Sequence, residues 1–293
     1  MIDGKTNLTG LLGWPVEHSL SPALHNAAFA ALGLNWVYLP LRVLPEHLPE
    51  ALPGLARSGF KGLNITIPHK QAVLPLLDEI SPTARALGAV NTISIQSNEN
   101  GDIQLRGDNT DVEGFLYPLQ ARGLQPQSAV VVGAGGAARA VIYALLQLGV
   151  RKISLLNRNP IHAYQLVEAL QSLAASGVIL APLPFGPSTL VEVCQSADLL
   201  VNTTPLGMWP QSESCIWPLE TPIPNHITVY DLVYNPYQTR LLQIAQGCGA
   251  SAIGGLEMLV RQAAAAFQIW TGQTAPIEAM LRACPPSWRN PPC

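Results

Sequence analysis

Ser128-Ala129-Val130-Val131-Val132-Gly133-Ala134-Gly135-Gly136-Ala137-Ala138-Arg139 is the stretch whose reading decides the fold. Val130 to Val132 is a short β-branched run that reads as a buried strand, and from Ala138 to Leu148 apolar residues recur at helical spacing. Between them stands Gly133-x-Gly135-x-x-Ala138. Strand, tight turn and helix in that order are the parts of a dinucleotide-binding crossover. Gly133 permits the turn, Gly135 lets backbone approach a pyrophosphate, and the small Ala138 lets the helix pack closely on the strand. The helix N-terminus offers unpaired N–H groups and a positive dipole end to phosphate, so Gly133, Ala134, Gly135, Gly136 and Ala137 are the expected cofactor cradle. A membrane span over residues 128–150 is excluded by Arg139, Gln147 and the glycines that interrupt it.

The next strand selects the nucleotide. An NAD-preferring unit carries an acid about 20 residues on, for the adenosine ribose hydroxyls. Here Lys152 to Leu156 ends in Asn157-Arg158-Asn159, with no acid. Arg158 suits a 2′-phosphate, which guanidinium recognises well. The missing acid weighs more than the arginine, and together they favour NADP over NAD.

Outward from this unit, 293 residues suggest two domains. Hydrophobic content of 48% is globular, while charged content of 12% with a net charge of −3 leaves no basic surface for nucleic acid or anionic membrane. Cys194, Cys215, Cys248, Cys284 and Cys293 are odd in number and scattered, which predicts a reducing compartment and no metal site. Met1 to Gly10 lacks the apolar core of a signal peptide, so a cytoplasmic location is expected.

Along the chain, Leu8–Gly13 reads as a strand and His18-Ser19-Leu20-Ser21-Pro22 as a helix entry. Ser21 is the expected N-cap, leaving Ser19 over; two hydroxyls beside a helix start suit a small carboxylate. His18 and His25 read as surface or packing residues. Trp36–Leu41 is a second strand and Pro45–Ser58 a helix. Phe60–Pro68 alternates, which predicts Asn64 and Thr66 on one face of a strand and Leu63, Ile65 and Ile67 on the core face. Lys70 then falls in the first turn of a helix expected over His69–Leu77, where the dipole would favour a neutral amine; a functional lysine is the better reading. Asn98-Glu99-Asn100-Gly101 predicts a hairpin between 93–95 and 103–105. Gly107-Asp108-Asn109-Thr110-Asp111 precedes a helix from Val112 to Arg122 and is expected to be a hinge at an interdomain cleft. Asn202–Met208 is a loop at the carboxyl end of a strand, where cofactors lie. Residues 209–225, rich in Pro and Ser, read as a surface excursion, and the Pro-rich end as a loose tail.

His18-Ser19-Leu20-Ser21-Pro22, Asn64-x-Thr66-x-Pro68-x-Lys70, Gly88-Ala89-Val90-Asn91-Thr92, Asn109-Thr110-Asp111, Gly133-x-Gly135-Gly136-Ala137, Asn157-Arg158, Asn202-x-x-Pro205-x-Gly207-Met208 and Gly255-x-x-Met258-x-x-x-Gln262 occur in the order found in shikimate dehydrogenases, which the chain resembles from about residue 8 to 283. The resemblance implies NADPH-dependent, reversible reduction of 3-dehydroshikimate in the aromatic amino-acid route. It implies a discontinuous substrate domain, residues 1–110 plus 260–293, and a Rossmann-type NADP domain, residues 111–259, both α/β. Lys70 and Asp111 are the implied catalytic pair. Ser19 and Ser21 would take the substrate carboxylate, and Asn64, Thr66, Asn91, Asp111 and Gln262 its hydroxyls, with Tyr234 nearby. Thr203, Met208, Gly255 and Met258 join the cofactor residues. Members are monomers or homodimers. His162 stands where NADP-preferring members often have a second arginine, which predicts a weaker preference for NADP. A quinate/shikimate enzyme with relaxed NAD use is the nearest alternative. A silent NADPH-binding regulator would be expected to lose Lys70 or Asp111, and both are present.

Overall fold

In the computed structural model, which describes residues 2–97 and 100–285, the chain divides into two units, Met1–Thr110 with Val260–Cys293, and Asp111–Leu259. Each unit is organised by one six-stranded sheet.

The first unit runs β1 (Asn7–Gly13), α1 (Ser21–Ala31), β2 (Trp36–Arg42), α2 (Leu48–Arg57), β3 (Phe60–Ile65), α3 (His69–Ala72), β4 (Glu79–Ile80), α4 (Pro82–Leu87), β5 (Thr92–Ser97) and β6 (Ile103–Asp108). The strand order is β2-β1-β3-β5-β6-β4. β3 runs parallel to β1, but β5 is antiparallel to both β3 and β6. The start of β5 therefore lies beside the ends of β3 and β6, with Asn64 paired to Thr92 and Thr92 to Asp108. That reversal gathers polar residues distant in sequence along one sheet edge, above a core that includes Leu12, Leu63, Ile65, Val73 and Ile93.

The second unit runs α5 (Asp111–Ala121), β7 (Ser128–Val132), α6 (Gly136–Gln147), β8 (Lys152–Asn157), α7 (Pro160–Gln171), β9 (Ile179–Pro184), α8 (Pro187–Cys194), β10 (Leu199–Asn202), β11 (Thr228–Asp231), α9 (Arg240–Gly247) and β12 (Ser251–Gly254). Its strands are all parallel, in the order β12-β11-β10-β7-β8-β9. Read from β9, this is the 3-2-1-4-5-6 order of a doubly wound dinucleotide-binding sheet. Its strands are covered on both faces, which is why Val130–Val132, Leu155–Leu156 and Leu199–Val201 are continuous apolar runs. α10 (Gly255–Thr271) carries the chain back to the first unit, and α11 (Ile277–Ala283) follows. Among the described residues no helix is long and apolar enough to cross a membrane.

Several local expectations are corrected. Ser21 is the first residue of α1 rather than its cap; Leu20 occupies the cap position, and the Ser21 N–H donates to Ser19 Oγ at 3.2 Å. The helix expected over His69–Leu77 is the single turn α3 followed by a 3-10 turn at Leu74–Leu76, because Pro75 has no N–H for the Gln71 carbonyl. The helix expected over Pro45–Ser58 splits in the same way, with Pro49 at the start of α2 after a 3-10 turn at Pro45–His47. β3 stops at Ile65, where its pairing with β1 ends, so Ile67 is 70% exposed rather than part of the core. Residues 209–225 are no loose excursion: Ile216, Trp217 and Ile223 are buried in the second core, and Trp217 Nε1 donates to Thr221 O at 2.8 Å. β5 and β6 pair as the expected hairpin; Asn98 and Glu99 of its turn, and 286–293 of the tail, lie outside the described residues.

Candidate functional site

In the first unit the expected substrate residues are laced together through the backbone. Ile65 N–H donates to Asn91 O at 2.8 Å, Val90 N–H to Lys70 O at 2.8 Å, and Asn91 N–H to Asp108 O at 3.0 Å. Segments 64–70, 89–92 and 108–110 thus share one edge. Gly88, at φ 61°, ends α4 in the left-handed conformation and turns the chain into that edge.

The side chains continue the lacing. Asn64 Nδ2 donates to Asn91 O at 3.2 Å and to Thr92 Oγ1 at 3.1 Å. A main-chain carbonyl only accepts, which fixes the orientation of the Asn64 amide and turns its oxygen to the Tyr38 hydroxyl at 2.8 Å. Thr92 Oγ1 donates to Asn91 Oδ1 at 2.9 Å, and Asn91 Nδ2 donates to Thr110 Oγ1 at 3.0 Å. Thr110 N–H returns to Asn91 Oδ1 at 2.8 Å. Asn64, Asn91, Thr92 and Thr110 are all buried. A buried amide satisfied on this many sides is held in one pose before any ligand arrives. Tyr38 stands in none of the sequence motifs, and Thr92 and Thr110 stand in two of them without an expected role; the burial of hydroxyls along a sheet edge identifies all three.

The remaining residues differ in surroundings. Ser19 and Lys70 are half-buried, Thr66 lies just past the end of β3, and Ser21 is 5% exposed. Burial pushes the ionisation of the neighbouring Tyr38 hydroxyl far up. His18 is exposed, whereas His25 is fully buried, stacked on Tyr38 at 4.3 Å between ring centroids and 5° between planes. Burial pushes the His25 imidazole down to about 3, with Asn64 pulling weakly the other way, and neither ring nitrogen reaches a partner at hydrogen-bonding geometry. Gln262 is half-buried on α10. In the second unit Asp111 opens α5 and is 6% exposed.

The expected cofactor residues meet at the carboxyl edge of the second sheet. The strand order reverses between β7 and β10, and a crevice for ligand opens at such a reversal. Val132 pairs with both Leu156 and Asn202, so the glycine turn, Asn157 and the 202–208 loop all leave the sheet at one level. Gly133 has φ 111°, and a Cβ there would run into the Thr203 hydroxyl, which itself donates to Val132 O at 2.8 Å. Gly135, the cap of α6, has open space where a Cβ would stand, and no side chain satisfies the first N–H groups of the helix. A backbone-lined cradle with unclaimed helix N–H groups fits a pyrophosphate. Arg158 and His162 are exposed beyond it, and Met208 is 43% exposed, whereas Met258 is 8% exposed. Gly255 is required because a Cβ would run into the Leu232 carbonyl.

Asp231 braces these loops. It accepts from Asn202 Nδ2 at 2.9 Å, Val233 N–H at 3.1 Å and Thr239 Oγ1 at 2.6 Å. Desolvation outweighs those bonds and raises its carboxyl to about 6. Among the described residues no group of histidines, cysteines and acids is arranged to hold a metal.

Comparisons with known proteins place these arrangements. Three family models match: the shikimate dehydrogenase substrate binding domain over residues 11–93, shikimate / quinate 5-dehydrogenase over 119–201, and the shikimate 5′-dehydrogenase C-terminal domain over 255–284. A shikimate dehydrogenase (NADP(+)) of Moorella thermoacetica is 47% identical over 290 residues, covering 96% of this chain and 93% of its own. A shikimate dehydrogenase crystallised in complex with NADP+ superimposes with a TM-score of 0.84 at 39% identity, covering 97% of this chain and 96% of its own. A quinate dehydrogenase from Corynebacterium glutamicum in complex with NAD also reaches 0.84, at 34% identity, over 95% of this chain and 98% of its own.

Proposed function

The chain belongs to the shikimate dehydrogenase family, and from that premise we propose that it interconverts 3-dehydroshikimate and shikimate with NADP(H), using Lys70 and Asp111 for proton transfer. The observation that carries the substrate half is the preset amide edge of Asn64 and Asn91, beside which the chain positions Lys70. A ring with several hydroxyls needs such fixed donors and acceptors, and Ser19 and Ser21 complete them for its carboxylate. Thr66, Gln262 and Tyr234 take the remaining substrate contacts in this reading.

Gly133, Ala134, Gly135, Gly136 and Ala137 would hold the pyrophosphate, Asn157 and Arg158 the adenosine end, and Thr203, Met208, Gly255 and Met258 the nicotinamide end. When bound, NADP(H) supplies or takes up the hydride at the C3 carbon of the substrate. As the carbonyl is reduced, negative charge grows on its oxygen, and a protonated Lys70 stabilises that charge and donates the proton. Asp111 orients the ammonium and accepts a hydrogen bond from a neighbouring substrate hydroxyl. Asp111 follows directly on Thr110, whose N–H is tied to Asn91, so the network reaches the residue next to the acid. In the oxidation direction Lys70 works as the base.

The NAD-linked quinate alternative draws support from the Corynebacterium likeness, and Arg158 with no acid after β8 stands against it. Absorbance of the reduced nicotinamide, followed with shikimate or quinate and with NADP+ or NAD+, separates the two. Highest kcat/KM for shikimate with NADP+ is expected; no turnover of shikimate with either cofactor overturns the assignment. We place the enzyme in the cytoplasm, as a monomer or homodimer without nucleic-acid partners. The reduced thiols of Cys194, Cys215, Cys248 and Cys284 suit that compartment.

A further inference from the structure

Tyr38 lies on β2, two strands away from Asn64, and belongs to none of the motifs that carry the family resemblance. It is 1% exposed, and its hydroxyl donates at 2.8 Å to a proposed hydroxyl ligand, Asn64. Both N–H groups of the Asn64 amide are already committed, to Asn91 O and Thr92 Oγ1. What Asn64 has left for a substrate hydroxyl is carbonyl lone-pair capacity, and the partner that shares and aims that oxygen is Tyr38.

The ring of Tyr38 is fixed as firmly as its hydroxyl. His25 stands one helical turn after Ser21 on α1 and stacks flat on the phenol. Trp270 closes over His25 at 5.2 Å and is itself anchored, donating from Nε1 to Ile93 O at 3.0 Å across Gly62, where a Cβ would collide with the indole. An uncharged imidazole is the form this position tolerates, since a charged one would be buried without a counter-ion.

We propose that Tyr38, clamped face to face on His25, is a positioning residue whose hydroxyl sets the Asn64 amide in place before the substrate arrives. The proposal rests on the assignment of Asn64 to substrate binding, and its test separates the two. Tyr38→Phe keeps the ring and its stack but removes the hydroxyl that donates to Asn64 Oδ1. Its kcat/KM for shikimate should fall about tenfold, the scale of one buried hydrogen bond whose loss strands an acceptor. The Kd for NADP+ should not change, because that cradle belongs to the other unit. Asn64→Ala should cost at least as much, and adding Tyr38→Phe to it should cost less than about twofold more, since the two side chains act as one device.

Near-wild-type kcat/KM in Tyr38→Phe overturns the proposal, as do losses that multiply in the double variant. An Asn64→Ala enzyme of unchanged kcat/KM overturns the substrate assignment and the proposal with it, a result distinct from a silent Tyr38→Phe. Should Tyr38→Phe fail to fold, the wild-type enzyme still decides. The Asn64 side-chain amide protons, identified by their absence from the spectrum of Asn64→Ala, should exchange slowly with water in the substrate-free protein. Exchange as fast as that of surface amides overturns the proposal.

Discussion

The two units shape their sheet edges by opposite means. At the edge of the first sheet the work falls to side chains: Asn64, Asn91, Thr92, Thr110 and Tyr38 are buried, mutually hydrogen-bonded and fixed in orientation. At the edge of the second it falls to backbone: a turn through Gly133 and Gly135, open helix N–H groups, and a loop braced from behind by Asp231. A side-chain edge discriminates among small polyhydroxy rings but is sensitive to every loss of a polar atom. A backbone edge takes a pyrophosphate that many proteins share and is sensitive to every added carbon. The sharpest demand on the first edge is the lysine. Lys70→Ala should lower kcat by about 10²–10⁴ while shikimate still binds in an equilibrium titration. Turnover near that of the wild type would remove the lysine from the chemistry and leave the first edge a binding surface only.

The contrast extends to protons, with opposite signs. His25 ionises near 6.5 in an unfolded chain and at about 3 when folded, so below pH 6.5 the unfolded state binds the extra proton. Stability from this group is complete above pH 6.5 and is lost as pH falls toward 3, by roughly 4–5 kcal/mol over the whole window. Asp231 is raised from 3.8 to about 6, so the folded state binds the extra proton. Its contribution is complete below 3.8 and is lost as pH rises through 6, roughly 3 kcal/mol in all. Between pH 4 and 6 the two partly cancel. Urea unfolding across this range should show His25→Phe flattening the acid loss and Asp231→Asn removing the opposing gain. If neither variant changes the slope, the two buried groups do not govern acid stability.

How much of this was legible beforehand follows the same division. The second sheet is written locally: a β-branched run, glycines at fixed spacing and a small residue at the helix contact announce strand, turn and helix without reference to anything distant. The amide edge is not local. Thr92 meets Asn64 only because β5 runs antiparallel to β3 in one particular register, and nothing in Asn91-Thr92 states that register. Ile67 departs from its expected place for a related reason, since alternation continues in sequence past Ile65, where the regular register of β3 ends. Residues 209–225 read as a surface excursion because turn residues outnumber the apolar ones there. Ile216, Trp217 and Ile223 are enough to bury the segment. The nine-residue helix expected around Lys70 is the single turn α3 instead, because Pro75 stops it early.

The smallest effects test the backbone edge on its own terms. Gly133 and Gly135 stand two residues apart and should fail differently. At Gly133, φ 111° and the nearby Thr203 hydroxyl make an added methyl a strain on the fold itself. Gly133→Ala should therefore cost about 1–3 kcal/mol in urea unfolding without any ligand present. Gly135 has φ −90°, which alanine adopts freely, and open space at its Cβ, so Gly135→Ala should unfold like the wild type. Its methyl would instead occupy the space the pyrophosphate needs, weakening NADP+ by about tenfold or more. A Gly135→Ala protein that is as stable as the wild type and binds NADP+ equally well would show that the cofactor does not approach this turn. The division between a side-chain edge and a backbone edge would then fail at its second half, because Gly135 would be sparing room for nothing.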